Sequence, residues 1–326
     1  MTRGLLALLA CLIAGPGTAQ GYKAPRTPLG QPDLQGVWTT HFILPLEARD
    51  DTPALVVSEA ESKVLARRIA EEQARYGVNY HDPEIPALNF AMAEHGMAIV
   101  RGERRTRQIV QPADGRVPWT PAALREVRRI ESMLRDEVDP PIAADHPEQR
   151  PAAERCLSLG APPTGALNEL SPRLVVQTRD HVVIQTEYGA DVRIIPFARE
   201  HRPAPMRDPL GDSIARWKGE TLVIETIRLP ANSRIRIFPF LLVPSNATVI
   251  EKYTRIAEDE LLYQYTVIHP GMYSGPWLAE YSLYPQKQPM YEFACHEGNY
   301  SLPNIMAGQR ELEKRARAAG GGPGRE

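Results

Sequence analysis

Residues 211–226 read GDSIARWKGETLVIET, and this stretch indicates the fold more directly than any other in the chain. Residues 214–217 and 221–227 are short runs rich in apolar and β-branched side chains, and they flank Lys218 and Gly219. A glycine between two such runs is a hairpin signal, because glycine adopts the positive φ angles of tight turns. The stretch therefore predicts two neighbouring antiparallel strands.

Similar strand-like runs lie on both sides of this hairpin and are separated by short turns. Their boundaries are residues 174–178, 182–187, 191–197, 248–256, 261–268, 277–284 and 291–295. The gaps between them are too short for the crossover helices that parallel strands require. About nine strands of this kind predict an antiparallel β-barrel or a sandwich.

Helical patterns occupy the rest of the chain. Ser58 and Glu61 form a capping box ahead of a helix that we expect to end near Tyr76. Thr120 and Pro121 supply an N-cap and a first-turn proline for a second helix, and a last helix is expected over residues 305–316. The predicted fold class is therefore α+β. The predicted order is a helical, irregular region (residues 20–151), an antiparallel barrel domain with a C-terminal helix (residues 152–317) and a disordered tail (residues 318–326).

The N-terminal residues, MTRGLLALLACLIAGPGTAQ, have the pattern of a secretory signal peptide. Arg3 is followed by an apolar run at residues 5–14 that is too short to span a bilayer. Residues 17–19 are small, so we expect cleavage after Ala19 and a periplasmic or secreted mature protein. The alternatives are a buried N-terminal helix and lipoprotein modification at Cys11.

Cleavage would leave Cys156 and Cys295 as the remaining cysteines. Exported proteins fold in an oxidising compartment, so this pair is expected to form a disulfide, with two free buried thiols as the alternative. The mature chain would hold 37 basic and 40 acidic residues, a formal charge of −3. This balance, without any basic run, argues against a nucleic-acid partner. We expect no transmembrane segment and a small-molecule ligand or substrate.

Residues 291–300, YEFACHEGNY, place cysteine, histidine and glutamate side by side. Adjacent side chains on a strand point to opposite faces, which argues against both a Cys–His dyad and a zinc site at this position. No metal site is therefore predicted. His296 with Glu292 or Glu297 remains a candidate acid–base pair. The alternative is a histidine that hydrogen-bonds a loop carbonyl and orders the end of the strand.

Asp191 and Arg193 form a second candidate site. If Gly189 and Ala190 form a two-residue turn, Arg193 lies opposite Thr186, and Asp191 and Arg193 share one face. Asp191 is then a candidate catalytic carboxylate, and Arg193 a candidate for binding an anionic group. The alternative is a surface ion pair of little energetic value.

Aromatic side chains are the remaining candidates for ligand contacts. Trp217, expected opposite Glu220 at the hairpin tip, is either a lid over a pocket or a packing residue. Tyr273 and Trp277 have the pattern of an aromatic rim at a barrel mouth, with core packing as the alternative, and Tyr300 is a further ligand-binding candidate. The alternating polar and aromatic faces near Tyr263 are either the wet outside of the sheet, which is the first expectation, or the lining of a cavity. The chain has no phosphate-binding loop, serine elbow or His-Glu-x-x-His helix, so no cofactor is predicted.

Several motifs occur in a recognisable order between Gly36 and Gln309. They are GVW (36–38), ERCL (154–157), EYGADVRIIP (187–196), the 211–226 stretch, YSGPW (273–277) and YEFACHEGNY (291–300). Together they resemble a family of exported, mostly uncharacterised bacterial proteins, and GVW resembles the first strand of lipocalin-like (calycin) barrels. The resemblance implies export and a β-rich fold but no reaction. His269 precedes Pro270 where the family more often has Asp-Pro, which argues against a role for His269.

Three functional hypotheses are compatible with this sequence. The first is an exported β-barrel that binds a small, partly apolar or aromatic molecule. The second is a cofactor-free lyase, isomerase or hydrolase that uses His296 with Glu292 or Glu297, and Arg193 to hold an anionic group. The third is a structural envelope protein without a pocket. Convergence of His296, Glu292, Asp191 and Arg193 on one cavity would favour the enzyme.

Overall fold

A computed structural model describes most of the chain. The described residues are 22–40, 42–76, 90–134, 144, 146–150, 155–157, 162–163, 172–187, 189, 191–203, 206, 208, 210–229 and 243–318. The predicted signal peptide, Cys11 and the predicted tail beyond residue 318 lie outside these residues, and so does Tyr188.

Antiparallel strands dominate the described chain. They are β1 (Gly36–Thr39), β2 (Val56–Val57), β3 (Ile99–Val100), β4 (Glu103–Arg105), β5 (Ile109–Gln111), β6 (Arg173–Gln177), β7 (His181–Thr186), β8 (Val192–Pro196), β9 (Asp212–Lys218), β10 (Thr221–Ile227), β11 (Thr248–Ala257), β12 (Glu260–Ile268) and β13 (Trp277–Pro285). The main sheet has the order β8-β7-β6-β1-β13-β12-β11-β10-β9, with β5 added beside β13, and β2-β4-β3 form a small second sheet.

The main sheet curls into a nearly closed barrel. Its two edge strands, β8 and β9, approach each other, and Phe197 makes a single parallel bridge to Ala215 there. We call this junction between β8 and β9 the seam. The predicted α+β class with an antiparallel barrel of about nine strands is therefore confirmed.

The ninth barrel strand differs from the predicted one. Residues 291–295 form no strand, so that prediction is wrong. Both sides of β13 are already paired, with β12 on one side and β1 and β5 on the other. The short strand β1, at the GVW motif, completes the barrel instead.

Two turns differ in register from the prediction. Lys218 pairs with Thr221, so the β9–β10 turn is Gly219-Glu220, and Trp217 lies opposite Leu222 rather than Glu220. Gly219 has φ +61°, which glycine adopts without strain. In the β7–β8 hairpin Arg193 pairs with Ile184, not Thr186. Asp191 lies just before the first residue of β8 and outside its ladder.

The helices whose bounds lie within the described residues include α1 (Glu59–Tyr76), α2 (Pro121–Leu134) and α3 (Ser301–Ala318). The capping box is confirmed, because the Ser58 N–H donates to Glu61 Oε2 at 2.9 Å while Ser58 Oγ accepts from the Glu61 N–H at 3.3 Å. Helix α3 begins before its predicted start at Ile305, since the Asn304 N–H already donates to the Tyr300 carbonyl. Among the described residues, no helix is sufficiently long and apolar to cross a membrane.

Aromatic side chains pack the inside of the barrel. Tyr253, Tyr263 and Tyr281 occupy one cross-strand row on β11, β12 and β13, with ring centroids 4.7 and 5.1 Å apart. Tyr265 and Trp277 lie beside them and are also fully buried. The expectation that such a face lies outside the sheet is wrong for these strands. Burial stabilises each ring by about 1.5–3 kcal/mol, which an outward face would lose.

The predicted disulfide is confirmed. Cys156 and Cys295 are joined by an S–S bond, with Cα atoms 5.5 Å apart. The bond ties residues 155–157 to the irregular segment between β13 and α3. The Asn299 side-chain amide donates to Cys156 Sγ at 3.1 Å and supports the same junction.

Candidate functional site

A buried ion pair spans the seam. Arg193 projects inward from β8, and its two terminal nitrogens contact the two carboxylate oxygens of Glu251 on β11 at 3.0 and 2.6 Å. The side chains are 8% and 0% exposed. Arg193 Nη2 also donates to Ser213 Oγ and Thr226 Oγ1, each at 3.2 Å. One guanidinium therefore connects β8 to β9, β10 and β11.

The surroundings keep Arg193 charged. Burial tends to lower the pKa of Arg193, but the charge of Glu251 and their hydrogen bonds outweigh it, so the pKa is raised. Tyr263 donates its hydroxyl proton to Glu251 Oε1 at 2.8 Å. Burial, with the nearby charge of Glu251, raises the pKa of Tyr263 well above its ordinary value. The tyrosine therefore remains a neutral donor, and the carboxylate is satisfied from both sides.

A second arginine lies in the aromatic interior. Arg173 is fully buried, donates to the Tyr281 hydroxyl, and has its guanidinium carbon 5.1 Å from the Tyr263 ring centroid. Burial opposes its charge, yet the three neighbouring tyrosines raise its pKa. A cation held against ring faces in this way is a cation–π arrangement. These side chains pack the barrel centre, so space for a ligand has to be sought elsewhere.

A cavity of about 250 Å³ lies at the seam. We call it the seam cavity. Its polar lining consists of His181, Arg193, Arg202, Asp208 and Ser213, and its remaining lining consists of Val192, Ile194, Ile195, Pro196, Leu210 and Gly211. Ile194 is 67% exposed, so the cavity reaches the surface. An apolar cavity of about 150 Å³ accommodates benzene, so a single ring with a polar substituent fits here.

One lining group has unused hydrogen-bonding capacity. Arg193 Nε is buried and has no hydrogen-bond partner among the described residues. A buried donor without an acceptor costs about 1–3 kcal/mol, and such groups are uncommon in native proteins. Nε itself has almost no accessible surface, so other atoms of Arg193 border the seam cavity.

An ionic cluster fastens the chain beside the cavity. Asp212, 2% exposed at the start of β9, accepts from Arg202 Nε at 2.8 Å and from the Arg202 backbone N–H at 3.1 Å. Arg228 also donates to Asp212. The ring nitrogens of His201 contact Asp212 at 3.1 Å and Glu225 at 3.2 Å. Residues 201 and 202 are thereby held against β9 and β10.

Asp212 gives this cluster a defined dependence on pH. Burial tends to raise its pKa, but Arg202, His201 and Arg228 outweigh burial, so the pKa lies below the ordinary value of 3.8. The folded-state pKa is depressed, so the stabilisation is complete above the unfolded pKa and is lost as pH falls through the folded pKa.

Asp212→Asn is expected to lower the free energy of unfolding by about 1.5–3 kcal/mol near neutral pH, the range for hydrogen bonds to charged groups. The difference from wild type should shrink as the pH falls below 3.8 and Asp212 becomes protonated. Urea denaturation of wild type and Asp212→Asn, from neutral pH to below pH 3.8, measures this difference. Asp259→Asn, in the exposed β11–β12 turn, is the control. If the difference in the free energy of unfolding between Asp212→Asn and wild type stays constant into strong acid, the ionic role assigned to Asp212 is contradicted.

The predicted ligand-binding residues separate into two groups. Arg193 lines the seam cavity, whereas Asp191, the candidate catalytic carboxylate, is not part of its lining. Tyr273 and Trp277 are fully buried in the core, and Trp217 packs against the same core. Core packing, one of the two alternatives for each aromatic residue, therefore describes their positions.

The predicted acid–base group lies away from the seam cavity. His296, Glu292 and Glu297 are exposed on the irregular segment before α3, and Tyr300 is 74% exposed. None of the four lines the cavity that contains Arg193, so the structure does not bring His296 and Glu292 to Arg193. Their catalytic roles stay predictions. Within the described residues, no group of His, Cys, Asp and Glu side chains is arranged to hold a metal ion.

His269 has a local structural position. Its Nδ1 accepts from the Met272 N–H at 2.9 Å, and Nε2 contacts Asn246 Oδ1 at 2.8 Å. These contacts order the β12–β13 connection. Reasoning from sequence missed His201, Asp212, Glu251 and Ser213 as site residues, because each occurs in an ordinary loop or strand context and their proximity depends on barrel closure.

No family model, curated protein or solved structure matches this chain. The resemblance to exported bacterial proteins therefore stays an expectation. The functional argument rests on the seam cavity and on the charged groups around it.

Proposed function

We propose that this protein is an exported β-barrel that binds a small, partly apolar molecule in the seam cavity. The observation that carries the proposal is Arg193, a cation that lines the cavity although it is more than nine-tenths buried. The apolar lining accommodates a ring, and the cationic side of the lining orients a polar group on that ring.

The rigidity of Arg193 supports a binding role. Glu251, Ser213 and Thr226 hold its terminal nitrogens, so its position is set before a ligand arrives. A preorganised donor loses little conformational entropy on binding, and more of the interaction energy then contributes to affinity. The same contacts explain why a buried cation is tolerated beside an apolar cavity.

The disulfide supports the proposed location. Stable disulfides occur mainly in proteins that fold in oxidising compartments, and Cys156–Cys295 is such a bond. Together with the N-terminal signal-peptide pattern, it favours a periplasmic or secreted protein. The ligand would then be a molecule encountered outside the cytoplasm.

Ile194→Trp is expected to weaken binding of single-ring compounds by about tenfold or more, because the larger side chain fills the mouth of a small cavity. Thermal shift and calorimetry with benzoate, benzamide and benzyl alcohol measure this. An aromatic residue is well tolerated at an exposed strand position, so the variant should fold.

Val176→Trp is the matched control. Val176 is an exposed β-branched residue on β6, in the same cross-strand row as Ile194 but two strands away and outside the cavity lining. The Val176→Trp variant should bind the single-ring compounds with the same affinity as wild type. Equal binding by Ile194→Trp and wild type, or no binding of any ring compound by wild type, would refute the proposed function.

A further inference from the structure

We propose that the ligand of the seam cavity is a small organic anion, a carboxylate on a single ring, held between Arg193 and Arg202. This inference rests on the proposed function and specifies its ligand. It follows from the order in which charges are arranged around the cavity, from the hydrogen bonds already made by the lining, and from the cavity's size.

The cations line the cavity while their principal partners lie behind them. Arg193 is part of the lining, and its partner Glu251 is not. Arg202 is likewise part of the lining, and its partner Asp212 is not. Coulomb energy falls with distance, so a group inside the cavity experiences the nearer positive charge of each pair more strongly. Each pair is neutral overall, but its positive member is the one that lines the cavity. The wall of the cavity formed by these two residues is therefore positive.

The acidic lining residue does little to reverse this field. Asp208 Oδ1 accepts from the Leu210 N–H at 2.9 Å, and Oδ2 lies 3.5 Å from Arg202 Nη2. Asp208 and Arg202 are 41% and 40% exposed, so solvent screens both charges of this pair to a similar extent. His181, on β7, adds no negative charge to the lining.

The unused hydrogen-bonding capacity is that of donors. Ser213 Oγ already accepts from Arg193 and contacts Thr226 Oγ1 at 2.8 Å. Asp208 is engaged as described, and the two lining guanidinium groups carry donors only. A ligand that completes these hydrogen bonds must therefore bring acceptor oxygens. A carboxylate brings two, and guanidinium–carboxylate hydrogen bonds are among the strongest in proteins.

The apolar lining determines the rest of the ligand. Ile195 and Leu210 are buried, and Pro196 and Val192 extend the apolar wall toward solvent. A cavity of about 250 Å³ holds one ring and one carboxylate. Binding therefore combines a buried ring with a charge-assisted hydrogen bond at the arginine end.

Isothermal titration calorimetry with benzoate and benzamide tests the charge directly, because the two molecules have nearly the same shape. Wild type is expected to bind benzoate about tenfold or more tightly than benzamide. Arg202→Gln should remove most of this preference by weakening benzoate, with benzamide affected about twofold or less. Arg228 still contacts Asp212 in this variant, so the fold should be retained.

Arg216→Gln is the matched control, since Arg216 is an exposed arginine on β9 that pairs with Glu225 and lies outside the lining. It should keep the wild-type preference. Equal affinity of wild type for benzoate and benzamide would overturn the anion inference while leaving the proposed function intact. Unchanged benzoate affinity in Arg202→Gln would overturn the assigned position of the carboxylate. Absence of binding by both compounds would overturn both proposals.

Discussion

Glu251→Ala is expected to destabilise the protein by about 3–5 kcal/mol, the cost typical of removing one member of a buried ion pair. The substitution leaves the guanidinium of Arg193 buried without its bidentate partner. The Tyr263 hydroxyl loses its acceptor at the same time. Chemical denaturation monitored by circular dichroism measures the change in the free energy of unfolding.

A double variant separates the lost pair from lost packing. Arg193→Met with Glu251→Leu removes both charges and keeps apolar volume, so it should be more stable than Glu251→Ala alone. Glu220→Ala removes a surface ion pair with Arg26 and should change stability by less than about 1 kcal/mol. Arg193→Met and Glu251→Leu are also measured alone. If the double variant loses as much stability as the two single variants together, the broken ion pair is not the cause of the loss.

Removal of the disulfide is expected to destabilise the protein by about 2–5 kcal/mol. Cys156 and Cys295 are separated by 139 residues, so the bond restricts a long loop of the unfolded chain. Denaturation of wild type with and without reductant measures the effect. A variant with Cys156→Ser and Cys295→Ser is the control, and reductant should leave its midpoint unchanged. Identical midpoints for wild type in both conditions would contradict this expectation.

When the disulfide is removed, α3 should lose more local stability than the barrel strands. None of the residues of this helix is buried. Its described attachments include the disulfide-linked segment before it and the hydrogen bond from Arg310 to the Ala144 carbonyl at 3.2 Å. Amide hydrogen exchange should therefore accelerate in α3 more than in β11 and β12 once the disulfide is removed.

The strands were predictable because their signals are local. Alternating side chains on β12 and β13, and the turn glycine between β9 and β10, indicate hairpins within a few residues of sequence. The disulfide was predictable from the expected export and from the number of cysteines that cleavage would leave. The false strand at residues 291–295 shows the limit of local signals. Its pattern is strand-like, but the neighbouring sites on the sheet are already occupied by β12 and β1.

The candidate site was only partly predictable because it depends on how the sheet closes. Arg193 was identified from its position beside a turn, but its partner Glu251 lies 58 residues away and reads as one charged residue in a strand. His201 and Asp212 meet through a loop without periodicity. Whether a tyrosine face is inside or outside is also a global property, since curvature decides which face becomes the core.

A crystal structure of the protein with benzoate bound tests the central claim most directly. The account predicts the ring in the seam cavity between Ile195 and Leu210, with a carboxylate oxygen about 2.7–3.2 Å from a guanidinium nitrogen of Arg193 or Arg202. Benzoate bound elsewhere, for example against the exposed side chains of Tyr291 or Tyr300, with an empty seam cavity, would contradict it.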